Sequence, residues 1–202
     1  MKLAAVIYQP GAGHAVDTLL CDAAVKLEAA GIKVAGAVQR NTVGDGSCCQ
    51  MLLEDIASKT AVDISLEPPG RDSCRLNPAA LEDAAGLVAA SLGPDVNLMI
   101  VNRFGKQEIS GQGFRGAIET AVAEGIPVIV ALNAAHLERW RAFTENEAVE
   151  LVPTLAAIMQ WCASNVSRLS AGKDGTRSSG RIAAAPLQAY DVSRRPPLRP
   201  TT

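Results

Sequence analysis

Residues 98–108 of the chain are Leu-Met-Ile-Val-Asn-Arg-Phe-Gly-Lys-Gln-Glu, and they give the clearest indication of its fold. Its four leading apolar residues are typical of a strand buried on both faces, as in a parallel sheet. The polar residues that follow then lie at the carboxyl end of that strand. In open α/β sheets this edge is where ligands bind. We therefore expect Asn102, Arg103 and Lys106 to belong to a ligand site.

The segments on both sides of this stretch alternate between strands and helices. We predict Asp17 as the N-cap of the first helix and Asn77 as the N-cap of the second, with Pro78 at its first position. The pattern indicates a three-layer α/β/α fold with a mostly parallel sheet. The predicted strands are 2–8, 32–38, 98–101 and 126–132, the predicted helices are 17–30, 78–92, 114–124, 135–143 and 153–163, and 50–57 with 61–66 form a hairpin or a sheet extension.

The composition fits such a fold. Hydrophobic residues make up 48% of the chain and aromatic residues only 3%, so the core is aliphatic. Five cysteines without framework spacing argue against a disulfide scaffold. We find no signal peptide and no apolar run long enough to span a membrane. These features predict a cytoplasmic protein that does not act in a membrane.

A change in composition after about residue 165 divides the chain into a domain (1–165) and a tail (166–202). The tail is rich in Pro, Ser and Gly and carries seven Lys or Arg residues against two Asp residues. Such a segment is predicted to be flexible and disordered. It could also dock on an acidic partner or on a neighbouring subunit, so a homo-oligomer is compatible with the sequence. The scarcity of aromatic residues argues against nucleic acid.

The loop after the first strand contains two glycines where a phosphate-binding loop belongs. Gly11 and Gly13 allow a close approach of backbone N–H groups to an anion, and His14 and Thr18 are further candidate ligand residues. A Walker A loop needs Gly-Lys-Ser/Thr at the helix start, and the best match places Asp17 where the lysine belongs. Three interpretations stay open: a plain glycine turn, an anion site formed by the amides, and a working ATP loop.

A second candidate segment precedes the helix at Asn77. It contains Arg71, Ser73, Cys74 and Arg75, and guanidinium groups are well suited to bind tetrahedral oxyanions. The alternative is a solvated loop, in which Cys74 is an ordinary half-buried thiol. Two histidines without acidic or thiol neighbours at ligand spacing predict no zinc site.

Cations outnumber acids at the predicted site. Arg115 stands in the first turn of a predicted helix, where a positive charge is unfavourable unless an anion is near. The predicted strand 98–101 is followed by Asn102 and Arg103, so acidic magnesium ligands are missing from this position. The set therefore favours an oxyanion held without a metal ion over hydrolysis of a magnesium nucleotide.

These residues resemble a little-characterised bacterial family of unknown function, a divergent relative of the P-loop nucleoside triphosphatases. The resemblance rests on the glycine loop and on residues 36–41, 73–81 and 101–108. In the hydrolase relatives the last motif is similar to Asp-Glu-Ile-Gly-Lys-Met-Glu, so Gly105, Lys106 and Glu108 match while Asn102 and Arg103 replace the acids. The resemblance implies a P-loop-like fold and, because family members often accompany molybdate-transport genes, a role in molybdate handling.

The leading hypothesis is a protein that binds a nucleotide or an oxyanion such as molybdate, with degenerate Walker motifs and without efficient hydrolysis. One alternative is a nucleoside triphosphatase whose acids are relocated, with Glu108 as the catalytic candidate and Asp45 and Asp72 as further magnesium ligands. Another is an interaction protein with a vestigial site.

Overall fold

The order of the strands in the sheet brings the ends of the first, fifth and sixth strands together. A computed structural model describes residues 2–42, 50–66 and 76–166. Within these residues seven strands form one sheet in the order β4-β3-β2-β5-β6-β1-β7. The strands are β1 (Leu3–Tyr8), β2 (Val34–Thr42), β3 (Gln50–Asp55), β4 (Ala61–Asp63), β5 (Leu98–Phe104), β6 (Val128–Asn133) and β7 (Val149–Leu151).

The strands from β2 to β7 in this order are parallel to one another, and β3 and β4 add an antiparallel hairpin at one edge. The mostly parallel sheet is therefore confirmed, and the predicted hairpin is also the predicted sheet extension. β6 lies between β1 and β5, with Tyr8 paired to Asn133 and Phe104 paired to Leu132. The three strands thus end at the same level, and the segments that follow them share one edge.

Helices cover both faces of the sheet, which explains why β1, β5 and β6 are apolar along nearly their whole length. One core lies between the sheet and α1 and α6, and the other lies between the sheet and α2, α4 and α5. None of the helices in the described part of the chain is long and apolar enough to cross a membrane. The helices are α1 (Gly13–Ala29), α2 (Pro78–Ser91), α3 (Lys106–Ile109), α4 (Arg115–Ala123), α5 (Leu137–Phe143) and α6 (Leu155–Asn165).

Of the two helix N-caps predicted from the sequence, the structure contains the one at Asn77 but not the one at Asp17. Asn77 caps α2 as predicted, because its side-chain oxygen accepts hydrogen bonds from the backbone N–H groups of Ala79 and Ala80 at 3.1 and 3.3 Å. The prediction for Asp17 was wrong. The first helix begins at Gly13, and Asp17 lies buried in its second turn. Its carboxylate turns inward to a cationic partner and is not used to cap backbone amides.

Other boundaries differ in ways that matter for the site. β2 runs from Val34 to Thr42, four residues beyond the predicted end of this strand at residue 38. The short elements β7 and α3 were not predicted, because three or four residues carry too little periodicity to be recognised. Val166 is fully buried and its N–H donates to Cys162, so the packed part of the chain reaches at least this residue. The predicted tail beyond Val166 lies outside the described residues.

Candidate anion site at the carboxyl edge of the sheet

The carboxyl end of β5 is tied to two other elements by the side chain of Asn102. This residue is only 2% exposed, and it stands where β5 shifts register against β6. Its Oδ1 accepts the backbone N–H of Gln39 at 3.1 Å, and its Nδ2 donates to Gln39 Oε1 at 3.0 Å and to Asp17 Oδ1 at 3.3 Å. Asn102 therefore joins β5 to β2 and to α1. Both polar atoms of its side-chain amide form hydrogen bonds with protein groups.

Arg103, the next residue, forms an ion pair with Asp17. Its Nη2 donates to both carboxylate oxygens, at 3.0 Å to Oδ1 and 2.9 Å to Oδ2. Asp17 is buried, whereas the Arg103 side chain remains 40% exposed. The guanidinium also faces the ring of Tyr8 at 5.9 Å from its centroid. The arginine is therefore fixed in position while part of its donor surface stays accessible.

The guanidinium of Arg103 lies directly against the glycine loop. A Cβ added to Gly13 would be 3.0 Å from Nη2 and 3.4 Å from Nη1, so the missing side chain at this position lets the arginine approach. Helix α1 begins here without a side-chain cap from Ala12. The structure thus brings the predicted residues Arg103 and Gly13 together at the positive end of α1.

The remaining residues of the glycine loop are placed differently. Gly11 has φ = +90°, which explains the glycine in this turn. His14 is exposed in the first turn of α1. Thr18 is exposed in the second turn, where its hydroxyl donates to the carbonyl of His14 at 3.2 Å. Asp17 and Thr18 are therefore not at the helix start, where a Walker A loop carries its lysine and hydroxyl residues.

The segment after β5 is held by Glu108. Its Oε2 accepts the N–H of Gly105 at 2.8 Å and its Oε1 accepts the N–H of Phe114 at 3.2 Å. Burial raises the pKa of the Glu108 carboxyl, and these amide hydrogen bonds oppose the shift. A Cβ on Gly113, which has φ = +61°, would lie 2.4 Å from Oε1. Glu108 thus organises the loop, and both of its oxygens are engaged.

Lys106 begins α3 and is exposed. Among the described residues it has no ion-pair partner within 4.0 Å. It therefore offers a free positive charge on the same segment as Arg103. Arg115 does not, because its guanidinium pairs with Glu119 at 2.9 Å and lies 4.5 Å from the centroid of the Phe143 ring. The expected unfavourable charge at the start of α4 is thus compensated by protein groups.

Several predicted site residues lie outside the described residues, namely Arg71, Ser73, Cys74 and Arg75, together with Asp45 and Asp72. Sequence reasoning missed Gln39 and the pairing role of Asp17. A buried glutamine within β2 gives no signal in a single sequence, because its partner Asn102 is 63 residues away. Among the described residues no group of three His, Cys, Asp or Glu side chains could hold a metal ion.

The sheet and the helices on its two faces form a three-layer α/β/α fold like that of the P-loop nucleoside triphosphatases. Two solved structures share it. A human cancer-related nucleoside triphosphatase matches with a TM-score of 0.59 and 16% identity over 88% of this chain and 100% of that one. THEP1 from the hyperthermophile Aquifex aeolicus matches with a TM-score of 0.54 and 16% identity over 76% and 90%. At such low identity this likeness shows the fold alone.

Within this fold class the chain belongs to the DUF2478 family, a family of proteins of unknown function, which matches residues 3–161. It is also 37% identical over 171 residues to the molybdenum import ATP-binding protein ModC 2 of Bradyrhizobium diazoefficiens strain USDA 110. That match covers 83% of this chain and 19% of the relative. The chain therefore spans about a fifth of the length of this curated protein.

Proposed function

We propose that this protein binds a nucleotide or a tetrahedral oxyanion at the carboxyl edge of its sheet and does not hydrolyse it efficiently. One observation carries the proposal: Arg103 is held by Asp17 against Gly13, at the strand end where hydrolases of this fold need acidic residues. A guanidinium in this place attracts an anion directly. It also repels the magnesium ion that phosphoryl transfer requires.

The donor groups around Arg103 support anion binding. Only Nη2 is used by Asp17, and Nη1 has no acceptor among the described residues. Nη1 lies close to Gly13, where α1 begins without a side-chain cap. Lys106 adds an exposed positive charge on the same segment. An anion between these groups would gain charge-assisted hydrogen bonds and the favourable end of the helix dipole.

The acidic groups near the site do not fit a magnesium ion. Asp17 is consumed by Arg103 and Asn102, and both oxygens of Glu108 accept backbone N–H groups. The side chains that replace the expected acids are an amide and a guanidinium. Positioning and electrostatics supply nearly all of the rate enhancement in phosphoryl transfer. Replacing the acids that hold the magnesium ion should therefore remove most of the catalysis.

The known proteins that this chain resembles support two kinds of ligand, a nucleotide and molybdate. The structures of similar fold include a protein described as a nucleoside triphosphatase, which favours a nucleotide. The curated relative is named for molybdenum import and ATP binding, which favours molybdate or ATP. Molybdate is a tetrahedral oxyanion and has the charge and geometry that Arg103 and Lys106 suit. We propose a cytoplasmic location for this activity, on the basis of the cysteine pattern.

A thermal-shift titration tests the proposal. The panel consists of molybdate, tungstate, sulfate, ATP and GTP, with each nucleotide added with and without magnesium. A ligand that binds only the folded protein raises its melting temperature as the ligand concentration rises. We expect stabilisation by at least one oxyanion or by nucleotide without magnesium. No stabilisation by any member of the panel would reject the proposal.

A nucleoside triphosphatase is the second candidate, because a protein described by that name shares the fold. It would need acids from other positions, with Glu108 the candidate among the described residues. Magnesium-dependent phosphate release from ATP or GTP that Glu108→Gln abolishes would favour this alternative. Stabilisation by nucleotide without any release would favour binding alone.

A further inference from the structure

A cavity of about 210 Å³ lies beside the end of β5, on the side of the β3–β4 hairpin. Its volume exceeds the ~150 Å³ of an engineered apolar cavity that accepts benzene. We name it the β5 pocket. Its apolar wall consists of Met51, Leu53, Ile64, Leu76, Leu81 and Phe114.

The apolar wall comes from several elements and borders one space that is open to solvent on one side. Leu53, Ile64, Leu81 and Phe114 are buried, whereas Met51 is only partly buried. A flexible methionine and an aromatic ring are side chains that adapt well to a flat apolar group. The wall therefore suits one ring or a branched aliphatic group, which would gain free energy by leaving water.

The β5 pocket also has polar lining residues, which include the cations Arg103 and Lys106 and the neutral residues Gln39 and Asn102. The Glu108 carboxylate lines it too, and both of its oxygens accept backbone N–H groups. Asp17 accepts only from Nη2 of Arg103, so Nη1 can still donate to a ligand. The Nε of Arg103 is buried and has no partner among the described residues. An apolar pocket with a few convergent polar groups is the usual form of a small-molecule site.

We propose that the β5 pocket binds the apolar part of a small organic anion whose charged group is held by Arg103 and Lys106. The class is a monocyclic or short branched phosphate, phosphonate or carboxylate. The inference rests on the proposed function in one respect, since it uses Arg103 as the anion-binding group. It goes beyond that function, because an inorganic oxyanion has no apolar group that could pack against this wall.

The experiment uses methyl NMR on the full-length protein labelled with ¹³C at its methionine methyl groups. Met51 reports on the pocket, and Met159 on the opposite face of the sheet is an internal control. The probes are phenyl phosphate, inorganic phosphate and uncharged benzyl alcohol. We expect phenyl phosphate to shift the Met51 methyl signal and leave Met159 unchanged, and to bind about tenfold or more tightly than either of the other two probes.

A matched pair of variants tests the location. Met51→Trp fills the pocket and should remove the gain of phenyl phosphate over phosphate, whereas Met159→Trp, the same change at another partly buried methionine, should retain it. An unchanged Met51 signal in the wild-type protein overturns the inference and identifies the cavity as a packing gap. Equal binding of benzyl alcohol and phenyl phosphate overturns the assignment of an anion. Binding of phenyl phosphate without a Met51 shift, and no tighter than that of inorganic phosphate, overturns the pocket alone and leaves the proposed function standing.

Discussion

Arg103 donates through one nitrogen, Nη2, to both carboxylate oxygens of Asp17, at 3.0 and 2.9 Å. The two residues are 86 positions apart, so the pair connects the end of β5 to the second turn of α1. Because the carboxylate is buried and the guanidinium is partly exposed, their roles differ. Asp17 fixes the arginine, and the arginine presents charge at the edge of the sheet.

Removing the guanidinium should destabilise the protein. Arg103→Ala removes the ion-pair partner of the buried Asp17 carboxylate, which keeps its hydrogen bond from the neutral amide of Asn102. We expect a loss of about 2 kcal/mol in the free energy of unfolding, below the 3–5 kcal/mol typical of fully buried pairs because Arg103 is partly exposed. Urea denaturation measures this loss. Arg141→Ala, which breaks exposed pairs with Glu138 and Glu150, should cost less. Equal losses in the two variants would contradict a special role for the Asp17 pair.

Anion affinity should fall in the same variant. Because Arg103 supplies the fixed charge of the proposed site, Arg103→Ala should weaken binding of the best ligand about tenfold or more. Isothermal titration calorimetry well below the melting temperature separates this effect from stability. Arg115→Ala is the control, since its guanidinium is held by Glu119 and Phe143. Unchanged affinity in a folded Arg103→Ala protein would remove Arg103 from the site.

Glu108→Gln should lower stability by about 1–2 kcal/mol near neutral pH, because the amide side chain can accept from only one of the two N–H groups that Glu108 binds. The effect depends on pH. Burial raises the pKa of Glu108 in the folded state, so the folded protein binds more protons than the unfolded one above the unfolded pKa. The contribution of Glu108 to stability therefore falls as pH rises from the unfolded pKa to the folded one.

Consequently the difference in stability between the wild type and Glu108→Gln should be larger near pH 4 than at pH 7. Denaturation curves at both pH values measure it. A difference that grows with pH would mean that the carboxylate is stabilised in the folded state and not destabilised by burial.

Gly36→Ala should be severely destabilising. Gly36 has φ = +113°, and a Cβ at this position would lie 1.9 Å from the carbonyl oxygen of Ile100 on β5. Backbone strain and a clash with backbone atoms together should cost more than about 3 kcal/mol. Gly86→Ala in α2 is the matched control, because its Cβ would meet nothing within 4 Å. That change should stabilise the helix by about 0.5–1 kcal/mol. Thermal denaturation compares the two variants.

Cys162 should be inert in the folded protein. It is fully buried, and burial raises the pKa of its thiol to about 12. Since the thiolate is the nucleophile, alkylation by iodoacetamide at pH 8 should require unfolding. Peptide mapping by mass spectrometry, with and without denaturant, tests this prediction. Rapid labelling without denaturant would show that α6 opens readily.

The sequence was sufficient to predict the parallel sheet, because β1, β5 and β6 are continuous apolar runs between glycines and prolines. It was also sufficient for the cap at Asn77, which acts within three residues of itself. It was insufficient for Asp17. A carboxylate near a helix start suits capping, and the arginine that attracts it inward stands far away in sequence.

The sequence was sufficient to predict several residues of the candidate site but not the contacts between them. Asn102, Arg103 and Lys106 follow an apolar strand, so their place at the carboxyl edge follows from the alternation of elements. The Gln39–Asn102 hydrogen bonds depend on the pairing of β2 with β5. The β5 pocket depends on where the β3–β4 hairpin and α2 lie beside β5. No local pattern encodes either arrangement. Glu108 stays a catalytic candidate from its motif alone, and its two backbone N–H partners could not be predicted from that motif.

Because Arg103 is the penultimate residue of β5, an anion at the proposed site would find its counter-ion in the chain itself and would need no metal ion. A chelator cannot remove a side chain, and arginine keeps its charge throughout the physiological pH range. Its attraction to a partly exposed anion is screened by salt. Occupancy of the proposed site is therefore expected to follow ionic strength, and to be indifferent to the supply of divalent ions.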